Sequence, residues 1–577
     1  MARLAVLLLC LLAASAHAAS TPRTIAALPP SVTLGRGAVV PFDEYEAENA
    51  VTNGIAIGPD RTFTTLPAEA SGRRAVRLGR VGDYVEFTLA RAANAVTVRA
   101  AIPDGDTGEG YDATLGLFAD DKPLGELALT SRYGWYYGSY PFSNRPADGQ
   151  AHHFFDETRL LFGRLLPAGT RVRLQIRRQD RAAWYVVDLA DFEHVPLPSA
   201  RPPGAISLVD FGADPSGSAL SSDAFERAIA AARATHRILW IPPGIFRVEK
   251  HLTVDRVHIR GAGPWYSVVR GSGLGFYGKT APDQSTDVRL EDFAILGDVT
   301  ERIDRDQVNG VGGAIGGGSL IRNLWIQHTK VGLWFDGPMH GLTVSGLRIL
   351  DTMADGLNFR GGVSDAVVEN NFLRNTGDDG LAAWSSKQAD HHIVFRRNTI
   401  ISPILANGIA LYGGHDIHVS GNLIADTLTE GGGLHLGNRF DAVPVSGRIR
   451  FDHNIVIRSG SIDPRWHFGI GALWLYALDA PIAADVRVDD TTLIDSTDEA
   501  IQFLGKPVAE IWFKRLSILG ARGPAIQIQS DGVAHLSASR ATGLGAPALR
   551  RCNREFRLAR FNNEGLIGES DAGCPPR

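Results

Sequence analysis

Apolar and polar residues alternate along this chain in many short runs. Val81-Gly82-Asp83-Tyr84-Val85-Glu86-Phe87, Ala95-Val96-Thr97-Val98-Arg99-Ala100 and Val172-Arg173-Leu174-Gln175-Ile176 each keep the two-residue period of a half-buried strand. Such strands over residues 37–197 predict a β-sandwich of the jelly-roll kind. Pro198, Pro202 and Pro203 mark residues 198–204 as a linker. One helical pattern follows, over 222–234, with Ser222 or Asp223 as its cap. Beyond it the strands fall into a repeat. A first landmark recurs at Asn323, Gly346, Asn371, Asn398, Asn422 and Asn454, and a second at Gly332, Gly356, Gly380, Gly408 and Gly433. The second series advances by 24, 24, 28 and 25 residues, and weaker copies continue near Ala500 and Ala525. Short strands at this period predict a right-handed parallel β-helix over 205–550, in which stacked coils bury a face that none could bury alone. The helical segment would cap the open end. The fold class is therefore all-β.

Composition adds limits. The chain has 577 residues, 44% hydrophobic and 21% charged, with a net charge of −5. This is a globular composition of more than one domain, without the basic bias of a nucleic-acid partner. Residues 1–19 read as a secretory signal: Arg3, an apolar run over 4–14, and the small-x-small site Ala16-His17-Ala18. No later segment is apolar enough to span a membrane, so a secreted chain is expected, extracellular or periplasmic and monomeric. Residues 20–36 read as a linker. Cys10 leaves with the signal, and Cys552 and Cys574 remain in the tail, 551–577. In an exported chain the two are expected to form a disulfide; free thiols and a metal site are the alternatives.

The repeat gives chemistry to its acids. Asp355 and Asp379 each precede the repeat glycine, 24 residues apart, and Asp378 doubles the second. Equivalent residues of neighbouring coils stack about 4.8 Å apart. Strict alternation would drive Asp355 and Asp379 into the core, so the chain must turn at Gly356 and Gly380 to bring all three outward. Asp before Gly is also ordinary turn chemistry. That accounts poorly for a doubled step in register with a single one, since stacked like charges destabilise a ladder. Two stacked carboxylates can hold and deprotonate a water, while a third, crowded by them, protonates a leaving oxygen.

The runs Trp334-Phe335-Asp336-Gly337-Pro338, Asp351-Thr352-Met353-Ala354-Asp355-Gly356 and Asn375-Thr376-Gly377-Asp378-Asp379-Gly380 resemble glycoside hydrolase family 87. So do Leu405-Ala406-Asn407-Gly408 and Gly433-Leu434-His435-Leu436-Gly437-Asn438-Arg439. The resemblance implies an inverting, endo-acting hydrolase of α-1,3-glucosidic bonds in an α-glucan, of α-1,3-glucanase or mycodextranase type, with no cofactor for catalysis. By that likeness Asp378 is the acid, and Asp355 and Asp379 activate the water. Asn407 and Gly432 continue the Asp column. Trp334, Trp384, Tyr412, His415, His435, Arg439 and Trp466 are candidate sugar contacts, with Trp474, Tyr476 and Lys387 beside them; for each aromatic, core packing is an equal alternative. Glu44-Tyr45-Glu46-Ala47-Glu48, with Asp188, resembles carbohydrate-binding modules of families 6 and 35, and implies a structural calcium on Glu46, Glu48 and Asp188; a solvated acidic edge is the alternative. A polysaccharide lyase or epimerase would want a basic column beside the acids, and none is evident. A non-catalytic polysaccharide binder would leave the three aligned Asp without a purpose.

Overall fold

A computed structural model describes residues 33–462, 469–572 and 574. The signal, most of the first linker and Trp466 lie outside those residues. Phe42–Glu46 to Tyr185–Glu193 form two antiparallel sheets face to face, the predicted sandwich. From Ile206–Ser207 onward the strands pair in parallel, coil upon coil, in three long sheets. The sheet running from His251–Thr253 to Glu569–Ser570 carries the residues of interest and is called the site sheet below. The inner positions of the coils, such as Leu357, Phe359, Leu381 and Ala383, are fully buried in one continuous core.

Helix Ser222–Thr235 starts one residue after Ser221 and buries Phe225, Ala228, Ile229 and Ala232 on that core, so it closes the end of the stack as its apolar stripe requires. The asparagine landmarks are structural. Asn371 Nδ2 donates to Asn398 Oδ1 (2.9 Å), Asn398 to Asn422 (3.0 Å) and Asn422 to Asn454 (3.0 Å). Each also satisfies a turn backbone, which is why amides survive in the interior. Asn323 departs from this ladder and bonds Asp292 at the surface.

One boundary moves. The coils do not stop at 550: Leu549–Arg551 pairs with Glu569–Ser570, so the tail is a further coil, pinned by the disulfide Cys552–Cys574. At the end of the stretch before the sandwich, the Arg36 guanidinium donates to the carbonyls of His453 and Asp490, and Gly37 N–H to that of Gly421, so these two residues are held on the β-helix. The sandwich itself packs on a second long sheet, with Phe42 against Phe372 and Trp325 and with Arg374 inserted among Glu44, Glu157 and Asp191.

Candidate active site

The three aspartates meet at one corner of the β-helix. The corner is turned early, at Asp351 and Asn375, whose φ of 47° and 61° are left-handed. Thr352 and Thr376 hydroxyls then bond the carbonyls of Ala354 and Asp378 two residues on. This leaves Asp355, Asp378 and Asp379 on the corner, just before site-sheet strands Leu357–Arg360 and Leu381–Trp384. Gly356 and Gly380 serve otherwise than expected. Neither is left-handed; a Cβ on Gly356 would stand 2.5 Å from the Gly380 carbonyl, and one on Gly380 2.7 Å from that of Gly408. The glycines allow close stacking of coils, and the turn is made by their neighbours.

One oxygen from each carboxylate lies within 4.8 Å of the others, so the set converges as the register predicts. Asp379 is held by neutral donors: Asn407 N–H and Nδ2 on Oδ1 (2.8 and 2.9 Å) and the Tyr412 hydroxyl on Oδ2 (2.8 Å). Burial, then the charge of Asp378, pushes Asp379 up to about 7 against those bonds. Asp355 receives Asn358 Nδ2 (3.2 Å), and burial beside Asp378 and Asp379 holds it well above the usual carboxylate range. Asp378 is the most exposed of the three. Its Oδ1 accepts the Asp379 N–H (3.0 Å), and its Oδ2 meets Arg302 Nη2 at 2.6 Å. The crowding expected at the third carboxylate thus acts on the stacked pair, because burial falls there and the guanidinium falls on Asp378.

Models of α-1,3-glucanase catalytic domains D1 and D2 match residues 39–195 and 218–438. The catalytic unit of a thermostable GH87 α-1,3-glucanase from Streptomyces thermodiastaticus strain HF3-3 is 40% identical, over 94% of this chain and 100% of that one, with a TM-score of 0.86. This chain belongs to glycoside hydrolase family 87. The Agl-KA catalytic domain aligns over 92% of this chain and 99% of its own, at 27% identity and a TM-score of 0.85. A GH87 α-1,3-glucanase catalytic domain solved with nigerose, at 23% identity and a TM-score of 0.78, shares the fold over 93% of this chain and all of its own. No curated protein sequence matches. The protein is a glycoside hydrolase of the α-1,3-glucanase kind. The match of the sandwich is to catalytic domain D1, where a carbohydrate-binding module was expected.

Around the aspartates of this family 87 hydrolase the expected sugar contacts divide. Trp334 and Trp384 are partly exposed on the site sheet; the first bonds Asp336, and the second bonds the Phe440 carbonyl beneath the Arg360 guanidinium. They stay available to a sugar face. Asn407 and Tyr412 are buried and serve Asp379 directly, and Trp474 Nε1 donates to Asn407 (2.7 Å) in a layer behind it. His435 is no groove ligand: it is fully buried against Trp474, and burial beside Arg439 holds its imidazole neutral. Arg439 lies over Phe440, Trp474 and Tyr476. His415 sits past the Gly413-Gly414 turn on the neighbouring sheet, stacked on His391 and bonded to Asp416, because its strand starts after the corner.

The three expected calcium ligands are not among the groups that converge on one point in the described residues. Asp188 is ion-paired with Arg99 at 2.5 Å and accepts the Ser71 N–H; Glu46 takes the Ser71 hydroxyl. Among the described residues the groups able to converge on a cation are the catalytic-corner set and Asp156–His328–Asp351 at the domain junction.

Sequence reasoning missed Arg302 and Asp304. Arg302 and Asp304 sit in the run Glu301-Arg302-Ile303-Asp304-Arg305-Asp306, which has the pattern of a solvated loop and precedes the visible repeat. The absence of a basic column beside the acids was therefore only a statement about the repeat.

Proposed function

We propose that this protein is a secreted, monomeric, endo-acting hydrolase of α-1,3-glucosidic bonds in polymeric α-glucan, with Asp378 as proton donor and Asp355 and Asp379 as the pair that activates water. The observation that carries the reading is the convergence of three carboxylates in two electrostatic settings. Burial pushes Asp379 up to about 7 and Asp355 well above the usual carboxylate range, so each, once ionised, is a stronger base than a free carboxylate. Asp378, the one that reaches solvent, is placed to give a proton to the leaving oxygen. Water gives a proton to an ionised member of the Asp355–Asp379 pair, its oxygen bonds the anomeric carbon, Asp378 gives its proton to the leaving oxygen, and the glycosidic C–O bond breaks with its electron pair going to that oxygen. Trp334 and Trp384 on the same sheet offer faces for neighbouring sugar rings.

Inversion is part of the proposal, through likeness to the family. Proton NMR of the first product decides, since an α-bond opened with inversion yields the β-anomer first. The substrate test incubates the protein and Asp378→Asn with α-1,3-glucan, nigeran and polygalacturonate. New reducing ends from either glucan, of falling chain length, absent in the variant, are expected. Cleavage of polygalacturonate alone, or an unsaturated product, would overturn the assignment.

A further inference from the structure

Asp378 is gripped by a residue that neither the repeat nor the family match assigns. Arg302 lies between strands Ala294–Leu296 and Val311–Gly312. Its side chain is 7% exposed, and beyond Asp378 it bonds Asp304 Oδ1 through Nε (2.9 Å). The segment around it is clamped from the sandwich at three points. Tyr133 donates to Asp298 (2.9 Å) and stacks on His328, Asn144 Nδ2 donates to the Thr300 carbonyl (2.6 Å), and the Tyr140 hydroxyl bonds Asp304. The Tyr140 ring also lies 5.2 Å from the Arg302 guanidinium. From the β-helix side, buried Lys330 donates to the carbonyls of Asp304 (2.9 Å) and Asp306.

We propose that Arg302 is a positioning residue for Asp378, and that the N-terminal sandwich holds it in place through Tyr140 and Asp304. This rests on Asp378 taking part in the reaction, as proposed above. Both oxygens of Asp378 are oriented, one by Arg302 and one by the Asp379 N–H. Without the guanidinium the carboxylate faces only the like charges of Asp355 and Asp379 and swings away from them toward solvent. Displacement by about 1 Å costs on the order of 10²-fold in rate. Asp304 holds the other side of the guanidinium, so the arginine cannot follow its partner. A lysine supplies the charge without the fork.

The test uses the full chain with soluble α-1,3-gluco-oligosaccharides. Arg302→Gln is expected to lower kcat on the order of 10²-fold with KM changed less than about threefold. Arg302→Lys should fall between it and the parent, and added guanidinium should restore part of the rate of Arg302→Ala. Tyr140→Phe, leaving the β-helix untouched, should lose a smaller part of kcat at unchanged melting temperature. In the double variant Arg302→Gln/Asp378→Asn, the rate should be no lower than in Asp378→Asn alone. A kcat for Arg302→Gln within about twofold of the parent, or losses that multiply in the double variant, would overturn the proposal. If Arg302→Gln does not fold, Arg302→Lys and Tyr140→Phe carry the same comparison. α-Nigerosyl fluoride, whose leaving group needs little protonation, separates the two readings. Recovery of both Asp378→Asn and Arg302→Gln supports the acid role together with the positioning. If both stay impaired and non-additive, the acid role falls while Arg302 still acts through Asp378.

Discussion

The sandwich–helix junction and the catalytic corner both bury carboxylates, and they neutralise them differently. At the junction Arg374 bonds Glu157, Glu44 and Asp191, and Arg99 takes Asp188, so these four carboxylates each have a guanidinium, while Asp351 beside them has only amide donors. At the corner Asp355 and Asp379 have only neutral donors, and the guanidinium of Arg302 goes to Asp378. The junction spends its arginines on holding two domains together. Burial brings acids close to titration in both regions, but only the corner sets them beside a third carboxylate that reaches solvent, the arrangement for moving protons.

Removing a member of each cluster should therefore give opposite results. Asp379→Asn is expected to lower kcat on the order of 10³-fold while the melting temperature holds or rises, since a crowded buried charge is relieved. Thermal unfolding beside initial-rate kinetics reads both. Arg374→Gln removes the counter-charge of three buried carboxylates and should cost about 3–5 kcal/mol by denaturant unfolding, with kcat near the parent value at permissive temperature. If Arg374→Gln lost rate without stability, the contrast would collapse. Asn398→Ala, in the asparagine ladder outside both regions, should cost about 2 kcal/mol and leave kinetics unchanged.

Two pH effects sharpen the same contrast. Glu44 is pushed up to about 8, and Asp188 and Asp191 to about 6, chiefly by burial. Acids raised in the folded state favour folding while protonated, so that contribution is greatest below their unfolded values near 4 and is lost as pH climbs toward 8. The melting temperature should fall between pH 5 and pH 8, by less in a Glu44→Gln variant. At the corner, the Tyr412 hydroxyl favours ionised Asp379. Tyr412→Phe should raise Asp379 above about 7. A base must be ionised to act, so the acid-side limb of the kcat–pH profile should move to higher pH, by less than about one unit.

Much of this was legible along the chain. The β-helix showed as a spacing of glycines and asparagines, and the register of Asp355 with Asp379 followed from the spacing. The turn was assigned to the wrong residues, because positive φ at Asp351 and Asn375 leaves no composition signal as strong as glycine. His435 read as outward on its strand, which it is; a second layer around Trp474 covers it, and alternation does not reveal what lies over a strand. The disulfide was a matter of counting, since two cysteines remained in the tail.

What the sequence alone determined is what repeats: strand period, coil stacking and the column of acids, all set by local alternation and a near-constant step. What only the tertiary structure decided is which charge each acid meets. Arg302 lies 76 residues from Asp378, and Arg374 lies 330 residues from Glu44. Such pairs arise where a loop or a second domain folds over the coil, and no periodicity encodes them. The three aspartates are alike in the chain and become unlike only when burial and one guanidinium are distributed among them.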